Sequence, residues 1–199
     1  MKKILLSAVA IMAFGFANAQ ETTGFTKGDV FVSGSVGFGS EKTGDNKNNE
    51  FNFSPKAGYF VTNNIAVGVK LGFTSGKQTE QAGPVSVETK TNTFEAGAFG
   101  RYYFTPASQF SFFGELSAGF NSSKSEIEGL PGESKSNGFN LGVAPGISYF
   151  VSKNIALEAT FGLLGYKTNK PDVDGAESTD TFNIGANFSD IRFGIVYKF

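Results

Sequence analysis

The last segment of the chain alternates strictly between apolar and other side chains. Its odd positions hold Ile191, Phe193, Ile195, Tyr197 and Phe199, and its even positions hold Asp190, Arg192, Gly194, Val196 and Lys198. Successive side chains of a β-strand point to opposite faces, so one face of this segment is wholly apolar and the other carries both signs of charge. The chain must therefore form a sheet whose two faces meet different surroundings.

The first residues have the pattern of a secretory signal peptide. Two lysines form a positive region, an apolar run continues to Phe16, and Ala17 and Ala19 supply the small residues of a cleavage site. The apolar run is shorter than the roughly 20 residues that a transmembrane helix needs. We therefore expect residues 1–19 to be cleaved and the protein to be exported.

The composition argues against several classes of function. The chain has no cysteine, which excludes disulfides and thiolate metal sites, and no histidine, the most common general base and zinc ligand. Loss of two lysines with the signal peptide leaves 15 basic residues (17 − 2) against 18 acidic ones, which gives no reason to expect nucleic-acid binding. We expect a protein that is not an enzyme and holds no cofactor.

Eight segments with a period of two follow the signal peptide, and no apolar run approaches the length of a spanning helix. They lie at 30–38, 51–61, 65–73, 94–104, 110–120, 139–151 and 155–163, with the eighth closing at Phe199. Short connections at 62–64, 105–109 and 152–154 alternate with long polar ones at 40–50, 75–92, 121–138 and 165–181. The pattern predicts an all-β, eight-stranded antiparallel up-and-down transmembrane barrel with short periplasmic turns and four long extracellular loops.

One turn occurs twice in the sequence. GYFVTNNIA at 58–66 recurs as SYFVSKNIA at 148–156, and a weaker copy starts at Tyr102. A period near 45 residues also suits a propeller blade. Three units are too few for a propeller, however, and the alternating connection lengths favour the barrel.

Two features conflict with unbroken strands. Pro55 and Pro145 lie inside predicted strands, where each removes a ladder hydrogen bond. In addition, apolar residues fall on even positions over 182–188 but on odd positions from Ile191 onward. We expect a bulge at each proline and another near Ser189.

The signal peptide, the eight strands, the YFVTNNIA turn and the terminal FGIVYKF resemble the outer-membrane β-barrel domain proteins of Gram-negative bacteria, including the small OmpA-, OmpX- and OmpW-like barrels. The resemblance covers about 28–199 and leaves 20–27 as a short periplasmic segment. It implies a monomer integral to the outer membrane, in contact with lipid and lipopolysaccharide. It also implies that periplasmic chaperones deliver the chain to the barrel assembly machinery, which would recognise Tyr197 and Phe199.

Tyrosines concentrate near the predicted strand ends. Tyr59, Tyr102, Tyr103, Tyr149 and Tyr197 lie at or near the periplasmic ends, and Tyr166 lies at the opposite end. Amphipathic rings prefer the level of the lipid head groups, so this placement predicts aromatic girdles. Tyrosines that merely flank the turns of a soluble barrel are the alternative.

The charged face supplies the candidate functional residues, which are Lys56, Lys70, Glu95, Arg101, Glu115, Glu158 and Arg192. Counting back from the 62–64 turn places Lys56 opposite Lys70, which is unfavourable unless carboxylates bracket the two ammonium groups. Since eight strands leave an interior that side chains can fill, we expect a lumen plugged by salt bridges. A gated ion path through exchanging Lys–Glu pairs is the alternative.

Other functions remain open from the sequence. A secreted lipocalin-like carrier also has eight strands, but its interior is apolar and its exterior polar. The acidic segment 172–180 lacks the spacing of a known calcium loop, so we expect no metal site. Because loops on a rigid scaffold often carry binding sites, we expect a role in envelope integrity or in adhesion to an extracellular ligand. A small porin or channel for ions or hydrophobic molecules is the alternative.

Overall fold

The structure, a computed structural model, describes residues 23–82 and 85–199, with the backbone alone described at 82, 85 and 186–190. The strands are β1 (Val30–Thr43), β2 (Asn46–Phe60), β3 (Ile65–Ala82), β4 (Val85–Tyr103), β5 (Phe110–Ile127), β6 (Ser134–Phe150), β7 (Ile155–Pro171) and β8 (Thr179–Lys198). Each pairs antiparallel with the next, and β1 pairs with β8 to close a barrel. This confirms the predicted fold.

The predicted signal peptide, with Ala17 and Ala19, lies outside the described residues. Within 23–82 and 85–199, we find no helix with the length and apolar character needed to cross a membrane.

Apolar side chains cover the outside of the barrel. Val69, Phe193 and Phe38 are 62, 65 and 75% exposed. Lys70 and Glu158 lie on the inner face of the barrel wall, where each forms an ion pair. An apolar exterior around an ion-paired interior is typical of a membrane barrel. It is the reverse of the arrangement that a lipocalin-like carrier requires, so that alternative is wrong.

Strands continue through most of the segments predicted as long loops. Outside the strands, three of those connections shrink to 44–45, 128–133 and 172–178, and in the fourth β3 continues to Ala82 and β4 begins at Val85. An 18-residue strand such as β3, at about 3.3 Å per residue and a tilt of about 40°, rises on the order of 45 Å, well beyond an apolar band of about 25 Å. This corrects the bounds of the predicted long polar loops. Segments that are polar on both faces show no strand periodicity in the sequence, yet their backbone is still paired in the barrel.

Side-chain contacts hold the projecting wall together. Hydroxyl pairs join β4 to β5, with Thr93 Oγ1 2.7 Å from Ser123 Oγ. On the β3–β4 hairpin, Glu88 pairs with Lys77 at 2.6 Å and with Lys90 at 3.2 Å. The hydrogen bond from Lys77, aided by that from Lys90, lowers the pKa of Glu88. The projecting wall is therefore held by side-chain contacts in addition to the backbone hydrogen bonds of the ladder.

The repeated turn has one geometry in both copies. Val61 N donates to Ile65 O at 3.0 Å, and Val151 N donates to Ile155 O at 2.9 Å. In the first copy the hydroxyl of Thr62 accepts from the turn backbone, and the side-chain amide of Asn64 donates to the next strand at Tyr103 O. In the second copy, Ser152 and Asn154 make the equivalent bonds, the latter to Lys198 O. The repeat thus encodes a turn that also fastens the neighbouring strand.

The two prolines differ in their effect on the ladder. The β2–β3 register is the same on both sides of Pro55, so the bulge predicted there is wrong. At Pro145 the β6–β7 register shifts between Val143 and Gly146, which confirms the second bulge. In both cases the ladder is interrupted on one side of the strand only, as expected where a proline has no N–H to donate.

The irregularity predicted near Ser189 is confirmed. Phe161 pairs with Ile191 whereas Gly162 pairs with Asn187, so the β7–β8 ladder passes over 188–190. The outward face of β8 changes there, because Ile184 is exposed on an even position and Ile191 on an odd one.

Inward phenylalanine rings lie directly over glycines of the neighbouring strand. The register places Phe31 opposite Gly58, Phe99 opposite Gly68, and Phe113 opposite Gly146. A Cβ added to Gly58 would lie 2.4 Å from the Phe31 ring, and one added to Gly146 would lie 2.4 Å from the Phe113 ring. Each ring therefore fills the space that the absent side chain leaves, and it shields the glycine backbone.

We predict that Gly58→Ala destabilises the barrel by about 1–3 kcal/mol, because the added methyl group displaces the Phe31 ring. The matched control is Gly100→Ala, at a position with no atom within 4 Å of an added Cβ. The measurement is urea unfolding of the refolded barrel in lipid vesicles. Equal effects of the two substitutions would contradict the proposed fit between ring and glycine.

Candidate functional site: the lumen

Four charged side chains from four strands meet across the middle of the barrel. Lys56 of β2 places Nζ 2.6 and 2.7 Å from the two carboxylate oxygens of Glu115 on β5. Arg101 of β4 donates from Nε to Glu115 Oε2 at 2.6 Å and from Nη1 to both oxygens of Glu158 on β7 at 2.9 and 3.0 Å. We call Lys56, Arg101, Glu115 and Glu158 the central network. The charges of its two cations and two carboxylates sum to zero.

Arg101 is the most enclosed member of the central network, at 3% exposed. Besides its two carboxylates, it donates to the hydroxyl of Tyr103 at 2.9 Å, and that hydroxyl in turn lies 3.3 Å from Glu158 Oε1. A buried charge is tolerated only when it is paired and hydrogen-bonded, and Arg101 meets both conditions.

A second ion pair lies beside the central network. Lys70 of β3 contacts Glu95 of β4 at 2.6 Å and donates to Ser117 Oγ at 3.2 Å. The ladder pairs Lys56 with Lys70, which confirms the predicted register. Lys56 pairs with Glu115 and Lys70 pairs with Glu95, so each ammonium group lies next to a carboxylate, as the sequence predicts. Arg192 lines the same cavity as these pairs.

A cluster of buried aromatic rings, called the aromatic floor, lies inside the barrel on the short-turn side of the central network. Its rings belong to Phe25, Phe31, Phe60, Phe99, Tyr103, Phe113 and Phe150, all buried. The guanidinium carbon of Arg101 lies 4.4 Å from the centroid of the Phe113 ring and 5.3 Å from that of Phe99. A cation over the face of an aromatic ring is stabilised by the ring quadrupole. The aromatic floor therefore stabilises the charge of Arg101.

Phe25 comes from the segment that precedes β1 rather than from the wall. Its ring is 1% exposed and lies 4.6 Å from that of Phe60 and 4.8 Å from that of Phe150, centroid to centroid. Phe25 N donates to Pro106 O at 2.7 Å, and Lys198 Nζ donates to Gly24 O at 2.6 Å. The segment predicted as a short periplasmic extension thus inserts a side chain into the barrel mouth.

The other half of the lumen is a cavity of about 970 Å³, which we call the polar cavity after the charged groups at its base; apolar residues such as Leu71 and Val143 also line it. The second ion pair and members of the central network lie at its base, and hydroxyl and amide side chains such as Thr74, Thr93 and Asn121 line its wall. The lumen is therefore asymmetric, with aromatic packing at one end and a polar cavity at the other.

Tyr103 corrects the predicted aromatic girdle. Tyr59, Tyr102, Tyr149 and Tyr197 lie exposed on the outer surface, and Tyr166 is half-buried. Tyr103 is instead fully buried in the lumen. Adjacent residues of a strand face opposite sides, so Tyr102 and Tyr103 cannot both point to lipid.

The aromatic floor was not predicted from the sequence. Phe31, Phe99 and Phe113 share the inward phase of the charged residues, and this phase is visible in the sequence. The additional signal is the glycine directly across each ladder pair, which leaves room for a ring. Phe25 left no such signal because it precedes the first period-two segment.

The apolar exterior, the closed antiparallel barrel and the ion-paired lumen define a small outer-membrane β-barrel. The sequence matches the family model of the outer membrane protein beta-barrel domain over residues 6–199, and the chain belongs to this family.

Solved structures show the same fold. OprG of Pseudomonas aeruginosa has a TM-score of 0.58 at 11% identity, covering 90% of this chain and 99% of that one. Neisserial surface protein A gives 0.51 at 19% identity, covering 85% and 97%. A major outer membrane protein of Thermus thermophilus gives 0.52 at 11%, covering 86% and 98%. At these identities the likeness concerns the fold alone. A search among curated proteins gave no match.

We predict that Arg101→Met costs about 3–5 kcal/mol of folding free energy, because it leaves Glu158 buried without the cation that pairs with it. The control is Lys90→Met, which removes a half-exposed partner of Glu88 and should cost about 0–1 kcal/mol. Urea unfolding in lipid vesicles measures both. A loss for Arg101→Met no larger than the control's would contradict the importance of the central network.

Proposed function

We propose that this outer-membrane barrel has a closed lumen and serves a structural and surface-interaction role, in envelope integrity or adhesion, rather than transport. The observation that carries this proposal is the central network, whose four charged groups bridge β2, β4, β5 and β7 with contacts of 2.6 to 3.0 Å. Mutually satisfied charges of zero net sum leave an entering ion nothing to exchange with at low cost.

The aromatic floor supports the same proposal. A permeating ion that passed the central network would meet seven buried rings with almost no exposed surface. Phe25 adds a ring from the N-terminal segment to this layer, and contacts to Pro106 and Lys198 hold that segment in place. Apolar constrictions oppose ion passage because they exclude water.

We propose no catalytic role for the lumen. The carboxylates of Glu115 and Glu158 are the candidates for paired acid–base chemistry, but Lys56 and Arg101 hold them in contacts of 2.6 to 2.9 Å. Structural ion pairing accounts for both groups without a substrate.

The projecting wall supports a surface-interaction role. Strands β3 and β4 continue well beyond the apolar band of the barrel exterior, and their outer parts carry polar residues. Pairing of the two strands holds these residues in fixed positions. Rigid presentation lowers the entropic cost of binding a partner. An extracellular ligand or lipopolysaccharide is the proposed partner of this surface.

For assembly, we propose that residues 1–19 direct export and that Tyr197 and Phe199 form the recognition signal for the barrel assembly machinery. The two rings pack edge to face at 5.0 Å, and Phe199 is exposed beyond the end of β8. Both rings are therefore accessible at the strand terminus.

Bilayer recordings test the closed lumen. We predict no steady single-channel conductance for the native chain, and a measurable leak for the double variant Phe25→Ala/Arg101→Ala, which opens the aromatic floor and the central network together. The control Phe38→Ala/Lys90→Ala removes one aromatic ring and one cation on the exterior instead. Steady native conductance that Lys70→Ala abolishes would favour the gated ion path instead.

Cellular fractionation tests the assembly signal. We predict that Phe199→Ala lowers the amount of heat-modifiable barrel in the outer membrane several-fold while leaving refolding of the purified chain unchanged. Phe38→Ala, which also removes an exposed ring, is the control and should reach native levels. Parallel loss in both assays would instead indicate a role for Phe199 in stability alone.

A further inference from the structure

Three hairpins, β1–β2, β3–β4 and β5–β6, carry the same outward pattern where they leave the apolar band. In each hairpin the ladder pairs two phenylalanines, and these pairs are Phe38–Phe51, Phe73–Phe94 and Phe120–Phe139. Four residues farther from the short turns the ladder pairs two lysines, and these pairs are Lys42–Lys47, Lys77–Lys90 and Lys124–Lys135. Because the spacing is even, the lysines share the outer face of the wall with the phenylalanines. We call these six lysines the lysine belt.

The lysine belt keeps a similar height around the barrel. Its members lie between 12 residues (42 − 30 on β1) and 15 residues (150 − 135 on β6) from the short-turn ends of their strands. At about 3.3 Å per residue and a tilt of about 40°, this places them roughly 30–38 Å from those ends, just beyond an apolar band of about 25 Å. The lipid head groups of the outer leaflet occupy this level.

Outward carboxylates on the same hairpins lie farther from the membrane than the lysines. Glu88, Glu126 and Glu133 each lie two residues beyond the nearest lysine of the chain, on the side away from the short turns. The outward positions between the phenylalanines and the lysines are uncharged, and they hold Ser40, Asn49, Ser75, Asn92, Ser122 and Asn137. On the fourth hairpin, Asp180 lies opposite Thr168, so the cationic surface is confined to β1–β6.

The lysines of β3–β6 are partly neutralised by the carboxylates beyond them. Glu88 is shared by Lys77 and Lys90, at 2.6 and 3.2 Å. Glu133 is likewise shared by the two lysines of β5 and β6, at 3.4 and 2.9 Å. Glu126 is the ladder partner of Lys90 and reduces the positive charge there further.

The Lys42–Lys47 pair lacks such neutralisation. Within 23–82 and 85–199, neither lysine forms an ion pair, and both are exposed. Asp45 lies in the turn beyond them, and Glu41 belongs to the inner phase of β1. Like charges directly opposite each other in a ladder are destabilising, so this pair gains from an anion supplied from outside the protein.

We propose that the lysine belt binds the phosphate groups of lipid head groups in the outer leaflet, with the Lys42–Lys47 pair as its strongest site. The proposal rests on the surface-interaction role proposed above and names a phosphorylated lipid as the partner. Cationic side chains at a membrane surface attract anionic lipids. Phe38 and Phe51 contact the acyl chains below the lysines, and Ser40 lies between the two levels. This layering matches an amphiphile rather than a free anion.

The test uses the full mature chain refolded in micelles of a maltoside detergent, which contains no phosphate. Phosphatidic acid is titrated while NMR follows the backbone amides of Lys42 and Lys47 in a chain with ¹⁵N-labelled lysine. Two further titrants separate the parts of the lipid, since diacylglycerol has the acyl chains without the phosphate and inorganic phosphate has the charge without the chains. We expect saturable shifts with phosphatidic acid alone, and weaker binding as the salt concentration rises.

Calorimetric titration compares the affinities of variants for phosphatidic acid. We expect at least tenfold weaker binding in Lys42→Gln/Lys47→Gln, because both ammonium groups of the strongest site are lost. The matched control is Lys27→Gln/Lys153→Gln, which removes two exposed lysines near the short turns and should bind with native affinity. Heat-modifiable mobility on gels verifies that each variant is folded.

Three results overturn the proposal: no saturable shift with phosphatidic acid, equal binding of diacylglycerol or inorganic phosphate, or unchanged affinity in Lys42→Gln/Lys47→Gln. The titrations of the unaltered chain decide the question even if the variant does not fold. They report binding at the outer surface whereas the bilayer recordings report passage through the lumen, so failure of this proposal and failure of the closed lumen are distinguishable.

Discussion

Burial of one guanidinium group organises the interior of this barrel. Arg101 has almost no contact with solvent, so its charge must be matched within the lumen, and Glu115 and Glu158 do this from two other strands. Removing an ion from water costs several kcal/mol, which close and multiple contacts must offset. Lys56 then balances the second charge on the carboxylates. The network also disfavours register slips, since a one-residue shift of any contributing strand would turn its charge toward lipid.

The aromatic floor and the glycines opposite it depend on the same narrow bore. Eight strands leave room for one layer of side chains, so large rings fit only where the facing residue is small. Phe31 over Gly58 and Phe113 over Gly146 meet this condition. The rings also provide faces for Arg101, which links the apolar end of the lumen to the charged middle. Phe25, which belongs to the segment before β1 rather than to a strand of the wall, packs against these rings inside the barrel.

Period-two patterning predicts the strands, the closure and the orientation because each depends on which face of a strand is apolar. The Lys56–Lys70 register was also predictable, since a tight turn fixes the pairing of the strands on both sides of it. Strand length was not predictable: where both faces are wet, polar residues occupy both phases and the pattern disappears. The partners of Arg101 required three-dimensional closure, because Glu158 lies 57 residues away in sequence. Tyr103 was assigned to the outer girdle because it is a tyrosine, but it is buried in the lumen. Its position in the alternation of β4 predicts this orientation better than its residue type does.

Because the chain has no cysteine, one introduced thiol can test most directly whether the lumen is closed. Thr74→Cys places the thiol in the polar cavity, on the extracellular side of the central network. In oriented vesicles, a charged membrane-impermeant thiol reagent should label this position rapidly from the extracellular side and at background rate from the periplasmic side. Labelling at equal rates from both sides would show a continuous aqueous path and contradict the closed lumen.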